Sequence, residues 1–174
     1  MVEALTENKN RTAQQVRTIF AQNNGLLGTS VQWCFEKKGL VTFSLPMPHS
    51  KITSIYDNLF EKVADMDGVE DLKMEPNETE LGKEFIECSL YCSVETVHAL
   101  KSSLESEKAN LEKALNIVIQ NITCELSMVP TTTIEVTDAQ VAENLQALID
   151  KLNDHDDVQN VYHNAVFSLP DEEE

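Results

Sequence analysis

The sequence is poor in positive charge and in aromatic side chains. Of 174 residues, 13 are Lys or Arg against 30 Asp or Glu, which leaves a net charge of −17, and only 6% are aromatic. An acidic body of this kind does not by itself attract a phosphate backbone, because that attraction depends on lysines and arginines displacing counterions. No apolar run approaches the roughly 20 residues that span a bilayer, and the polar stretch Met1 to Arg11 does not read as a signal peptide. A soluble, cytoplasmic protein without a membrane partner is expected. The cysteines Cys34, Cys88, Cys92 and Cys124 form no CxxC pair and read as small buried hydrophobes of a reducing compartment. Asn10, Asn77 and Asn121 head glycosylation-type triplets, which are expected to stay unmodified without a secretory signal. Nucleophile motifs, a Walker loop, GxGxxG and HExxH are all missing, so neither an enzyme nor a cofactor is expected.

What is present is periodic. Hydrophobic residues make up 41% of a chain long enough for one domain or two small ones. The first unit reads as strand, helix, strand. Val2 to Leu5 is a short apolar start, Thr12 and Gln15 form a capping box, Val16, Ile19 and Phe20 give a helical stripe, and Asn23-Asn24-Gly25 stops it. Val31, Trp33 and Phe35 alternate as a half-buried strand, closed by Lys37-Lys38-Gly39. The C-terminal segment repeats the plan. Thr133 to Val136 is β-prone, Thr137 and Gln140 form a second capping box, Val141, Leu145, Leu148, Ile149 and Leu152 recur at helical spacing, and Val158 to Phe167 reads as one strand.

Between these halves lies a segment with its own elements. Leu40, Val41 and Phe43 form a strand ended by Pro46 and Pro48. Ile52, Ile55, Leu59, Val63 and Met66 make a helical stripe. Val69 to Met74 and Phe85 to Cys92 read as strands joined by the turn-rich Pro76 to Lys83. Ser93 caps a helix through Val97 and Leu104, a second helical patch carries Leu111 to Val118, and Ile122 to Met128 alternate as a strand. The expected fold is α+β: two nested ferredoxin-like, or split βαβ, sandwiches with antiparallel sheets and helices on one face. The outer domain takes residues 1–39 plus 121–174, and the inserted domain takes 40–120.

Five stretches carry a specific likeness. They are Val2-Glu-Ala-Leu-Thr-Glu-Asn-Lys-Asn-Arg-Thr12, Val16-Arg17-x-Ile19-Phe20, Asn24-Gly25-x-Leu27-Gly28-x-Ser30, Trp33-x-Phe35-Glu-Lys-Lys-Gly39 and Asp157-Val-Gln-Asn-Val-Tyr-His-Asn164. In this order they resemble the YebC/PmpR family, which includes bacterial proteins named as probable transcriptional regulators and a mitochondrial translational activator of cytochrome oxidase subunit one. The resemblance implies a non-enzymatic regulator of gene expression whose partner is the ribosome or RNA, or promoter DNA. A mitochondrial location is the expectation for a eukaryotic homologue. It also implies a basic helical domain ahead of the first strand, which this sequence does not contain. The sequence departs from the family pattern in having no glycine-serine pair between Ser30 and Val31, and Thr131 where lysine is usual. A ligand-sensing or scaffold module of ferredoxin-like fold is the alternative.

Charge is polarised along the chain. Residues 1–39 hold five cations, Lys9, Arg11, Arg17, Lys37 and Lys38, against three acids, a balance of +2 that leaves −19 for the rest. The expected anion-facing surface is therefore Asn8, Lys9, Asn10, Arg11, Thr12 and Arg17 with Lys37 and Lys38, aided by backbone N–H groups at the start of the first helix. Tyr162, His163 and Asn164 are a second contact surface, because in a strand one or other polar group must meet a partner or solvent. His155, among Asp154, Asp156 and Asp157, lacks the spaced oxygens of a calcium loop and reads as a solvated turn. Cys88 and Cys92 lie roughly 13 Å apart along a strand, too far to share one zinc ion. The tail Asp171 to Glu174 reads as a solubilising end.

Overall fold

The structure, a computed structural model, describes residues 1–28, 31–79 and 81–167; Ser30 and the acidic tail lie outside the described residues. In chain order the elements are β1 (Val2–Ala4), α1 (Lys9–Gln22), β2 (Phe35–Leu45), α2 (Ile52–Ala64), β3 (Asp71–Glu78), β4 (Glu84–Cys92), α3 (Val97–Leu115), β5 (Gln120–Pro130), β6 (Ile134–Val136), α4 (Ala139–Asn153), β7 (Val158–Val161) and β8 (Ala165–Phe167). The class is α+β, as expected. The chain divides into two compact units, one of Met1–Glu36 with Met128–Glu174 and one of Lys37–Ser127. The division falls inside β2 and β5.

In the inserted unit, four strands lie in the order β3-β4-β2-β5. The antiparallel register sets Val41 opposite Leu90, Phe43 opposite Cys88 and Leu45 opposite Ile86, so the alternation of each strand delivers one apolar face. Leu72 of β3 adds to the Leu90 row. Leu59 and Val63 of α2 and Val97, Leu100, Leu104 and Leu111 of α3 share one buried cluster with these strands. Two expectations from the sequence are revised here. Lys37-Lys38-Gly39 does not close a unit; it lies within β2, and Gly39 pairs with Cys92. Glycine is needed there because a Cβ would sit 2.7 Å from both Cys92 Sγ and Val97 Cβ. The two helical patches after Ser93 are one helix, α3, which starts beside Thr96 and ends at Asn116 in a left-handed conformation (φ 52°).

The outer unit has less sheet. β1 pairs antiparallel with β7, and β6 pairs parallel with β8. Both pairs are short, and α1 and α4 supply most of the buried surface: Val16, Leu148 and Leu152, with Val158 of β7. Several local readings change. Val31, Trp33 and Phe35 do not form a strand, because Gln32–Cys34 is a 3₁₀ turn and β2 starts only at Phe35, which leaves Trp33 72% exposed. α4 is capped by Asp138, whose carboxylate accepts the Val141 N–H, and not by Thr137. Val158 to Phe167 is two strands, with Tyr162–Asn164 between them.

Candidate functional site

The start of α1 is built by a chain of polar contacts. Asn8, not Thr12, is the N-cap: its side-chain oxygen accepts the Arg11 N–H at 3.1 Å. Thr12 therefore sits inside the first turn, buried, and its hydroxyl is released for another task. It lies 2.6 Å from Asp157 Oδ2 and 2.8 Å from the Thr6 hydroxyl, while the Asn8 N–H donates to Thr6 at 3.0 Å. The Thr6 hydroxyl accepts the Asn8 N–H and also reaches Asp157 Oδ2 at 3.3 Å, so both threonine hydroxyls converge on one carboxylate oxygen. The Arg11 guanidinium closes on the same carboxylate oxygen at 2.9 Å. The Thr12 hydroxyl first, and the Arg11 guanidinium after it, hold the Asp157 carboxyl below the usual carboxylate range. Beside this latch, His155 Nδ1 accepts the Asp157 N–H at 3.1 Å and its Nε2 faces Gln15 Oε1 at 3.2 Å, which makes Nε2 the protonated nitrogen.

Above the latch the outer unit holds a cavity of about 790 Å³. Val16 and Phe20 of α1, Leu145, Leu148 and Leu152 of α4, and Val161 of β7 form apolar walls. Lys9, Thr12, Tyr162, His163 and Asn164 also line it, so residues assigned to two separate surfaces from the sequence border one space. Tyr162 donates its hydroxyl to Glu3 at 3.1 Å, Asn164 donates to the Thr132 carbonyl at 3.1 Å, and exposed His163 lies against the Phe167 ring. None of the three is in a strand.

The remaining expected contact residues are dispersed. Asn10 and Arg17 are exposed on α1, and among the described residues Lys9, Arg17 and Lys37 have no ion pair. Arg11 is engaged by Asp157, which removes it from a free anion-binding set. Lys37 and Lys38 belong to the inserted unit, where Lys38 holds Glu70 at 2.5 Å.

Comparison with known proteins gives this geometry a context. A family model described as "TACO1/YebC second and third domain" matches residues 1–165. The chain belongs to the TACO1/YebC family. A "probable transcriptional regulatory protein" of Syntrophomonas wolfei is 35% identical over 174 residues, which covers 99% of this chain and 59% of that protein. One from Sulfurihydrogenibium is 36% identical over 173 residues. The chain thus spans about 59% of the length of the curated relatives it matches. The crystal structure of a conserved hypothetical protein from Aquifex aeolicus superposes with a TM-score of 0.64 at 28% identity, covering 99% of this chain and 60% of that one.

In this TACO1/YebC chain, the stretch Thr6 to Thr12 is therefore at least partly a structural device: three of its side chains exist to close on Asp157. Sequence reasoning passed over Asp157 as one acid in a solvated turn, although its place at the head of the Asp157 to Asn164 stretch was the available signal. Cys88 and Cys92 have the expected core role, whereas Cys34 and Cys124 are only half-buried. Burial pushes the Cys88 thiol up to about 12 and also raises Cys92. His49, Glu78 and Glu84 of the inserted unit bring ligand atoms within 4.8 Å of one another, but His49 Nε2 is occupied by the Asn77 carbonyl at 2.8 Å and Glu84 accepts the His49 N–H at 2.9 Å. Hydrogen bonds within the cluster account for its geometry. Among the described residues no helix is long and apolar enough to cross a membrane.

Proposed function

We propose that this chain is a non-enzymatic regulator of gene expression that docks on the ribosome, with α1 of the outer unit presenting its cations to RNA phosphates. The observation that carries this reading is the state of the basic residues. At −17, with Arg11, Lys38, Lys73, Lys101 and Lys108 of the 13 basic residues each paired with a carboxylate, the chain as a whole is poorly suited to a free phosphate backbone. Lys9 and Arg17 both lie on α1 and have no ion pair among the described residues. Two or three such contacts are too few to hold free duplex DNA at physiological salt, whereas docking on a ribonucleoprotein lets protein contacts share the energy. The names of the relatives support a regulatory role, and promoter DNA is the second reading that those names favour.

Co-sedimentation with ribosomes across a salt titration, run beside a duplex gel shift, tests the proposal. Pelleting should weaken as salt rises, and Lys9→Gln with Arg17→Gln should weaken it further and flatten the salt dependence. A double variant that pellets as well as the parent with the same salt slope would exclude α1 as the contact. Submicromolar duplex binding at about 150 mM salt would establish the DNA reading instead.

A further inference from the structure

We infer that the cavity of the outer unit is a binding site for a small amphipathic anion: a molecule with an apolar body and one carboxylate-type head group. This inference is independent of ribosome docking. The volume of about 790 Å³ lies within the roughly 300–1,000 Å³ of small-molecule pockets. Its walls, Val16, Phe20, Leu145, Leu148 and Val161, suit an aliphatic or aromatic body. Leu5 and Leu26 at its edge are 75% and 90% exposed, apolar surface of the kind that marks a binding groove.

The charge of the lining selects the head group. Acidic residues make up 30 of the 174, yet among the described residues none lines the cavity, and Lys9 is the one lysine or arginine that does. Lys9 is exposed, lines the cavity and has no ion pair among the described residues. In a protein that is otherwise strongly negative, the cavity is a local region where an anion is favoured and a cation is not. Gln32 adds a neutral amide to the same lining.

Isothermal titration of the 174-residue chain with decanoate and with decyltrimethylammonium, matched in chain length and opposite in charge, tests the site. Decanoate should bind about tenfold more tightly, the sum of one attraction gained and one repulsion avoided at a partly exposed lysine. Lys9→Gln should weaken decanoate about three- to fivefold and remove most of the preference between head groups. Ala13→Trp, which places a bulky ring in the lining from an exposed position on α1, should weaken both ligands while the circular dichroism spectrum holds. Equal affinity for the two head groups, or a Lys9→Gln variant indistinguishable from the parent, would overturn the inference. So would the absence of any heat at millimolar decanoate. Hydrogen exchange showing the lining protected by a concentration-dependent dimer, with no further change on adding decanoate, would give the surface to a second copy and overturn it as well.

Discussion

The two units spend their apolar residues differently. Among the described residues, the inserted unit packs sixteen buried residues into one cluster, whereas the outer unit has four in its own. Strand length explains the contrast. β2, β4 and β5 run 11, 9 and 11 residues, so several inward positions of neighbouring strands coincide in rows. The outer strands run three or four residues and offer one or two inward positions each. A unit so built cannot close a dense core, and it compensates with the Asp157 latch while leaving a large apolar cavity. The lesson is that strand length sets how densely each unit packs.

Truncation of the core should break this contrast most sharply. Phe43→Ala, at a side chain 1% exposed, should cost about 3–5 kcal/mol, and Leu152→Ala should fall near the lower end of about 2–5 kcal/mol because Leu152 already borders the cavity. Urea denaturation of both variants measures the pair. Equal losses would mean that the outer core is tighter than its four residues imply. Amide exchange provides the companion measurement, with β1 and β7 expected to exchange before β2 and β4.

Next in size is Gly39→Ala. The new methyl would meet Cys92 Sγ, Val97 Cβ and the Ser93 carbonyl within 2.8 Å, an overpacking worth about 1–3 kcal/mol. The urea midpoint should fall, and a neutral outcome would show that α3 can shift away from β2.

Acid should distinguish the units more gently. The folded-state pKa of Asp157 is lowered, so its contribution is fully present above the unfolded value of about 3.9 and is lost as pH falls through the folded value. Thermal melts followed through outer-unit amides should therefore lose stability below about pH 4, and Asp157→Asn should remove that part of the pH dependence. An identical profile in the variant would deny the latch its role. The smallest effect belongs to Lys9→Gln, expected within about 0.5 kcal/mol of the parent stability, so that any larger change in ligand or ribosome binding can be read as recognition.

Much of the inserted unit was legible because its periodicity is strong. Ile86, Cys88, Leu90 and Cys92 alternate as a strand, and Leu59 and Val63 sit on a helical stripe; both patterns survive folding because one face of each element is buried. The outer unit was harder to read. Asn8 and Thr12 are both good capping residues, and nothing local decides which of them caps once the other is drawn to Asp157. Val31, Trp33 and Phe35 alternate convincingly, yet Gln32–Cys34 closes as a 3₁₀ turn in which the Cys34 N–H donates to the Val31 carbonyl at 3.0 Å.

What the sequence determined by itself is the class of the fold, the deep acidity, the family resemblance and the elements whose hydrophobic period is long enough to be unambiguous. The tertiary structure alone decided which polar groups are spent and which remain available. Arg11 and Thr12 meet Asp157 across 146 and 145 positions of chain, and Lys9 comes to line one cavity with Tyr162, His163 and Asn164. Such meetings leave no local pattern, because the free energy that selects them comes from packing and desolvation between segments that folding brings together, not from the preferences of either segment alone.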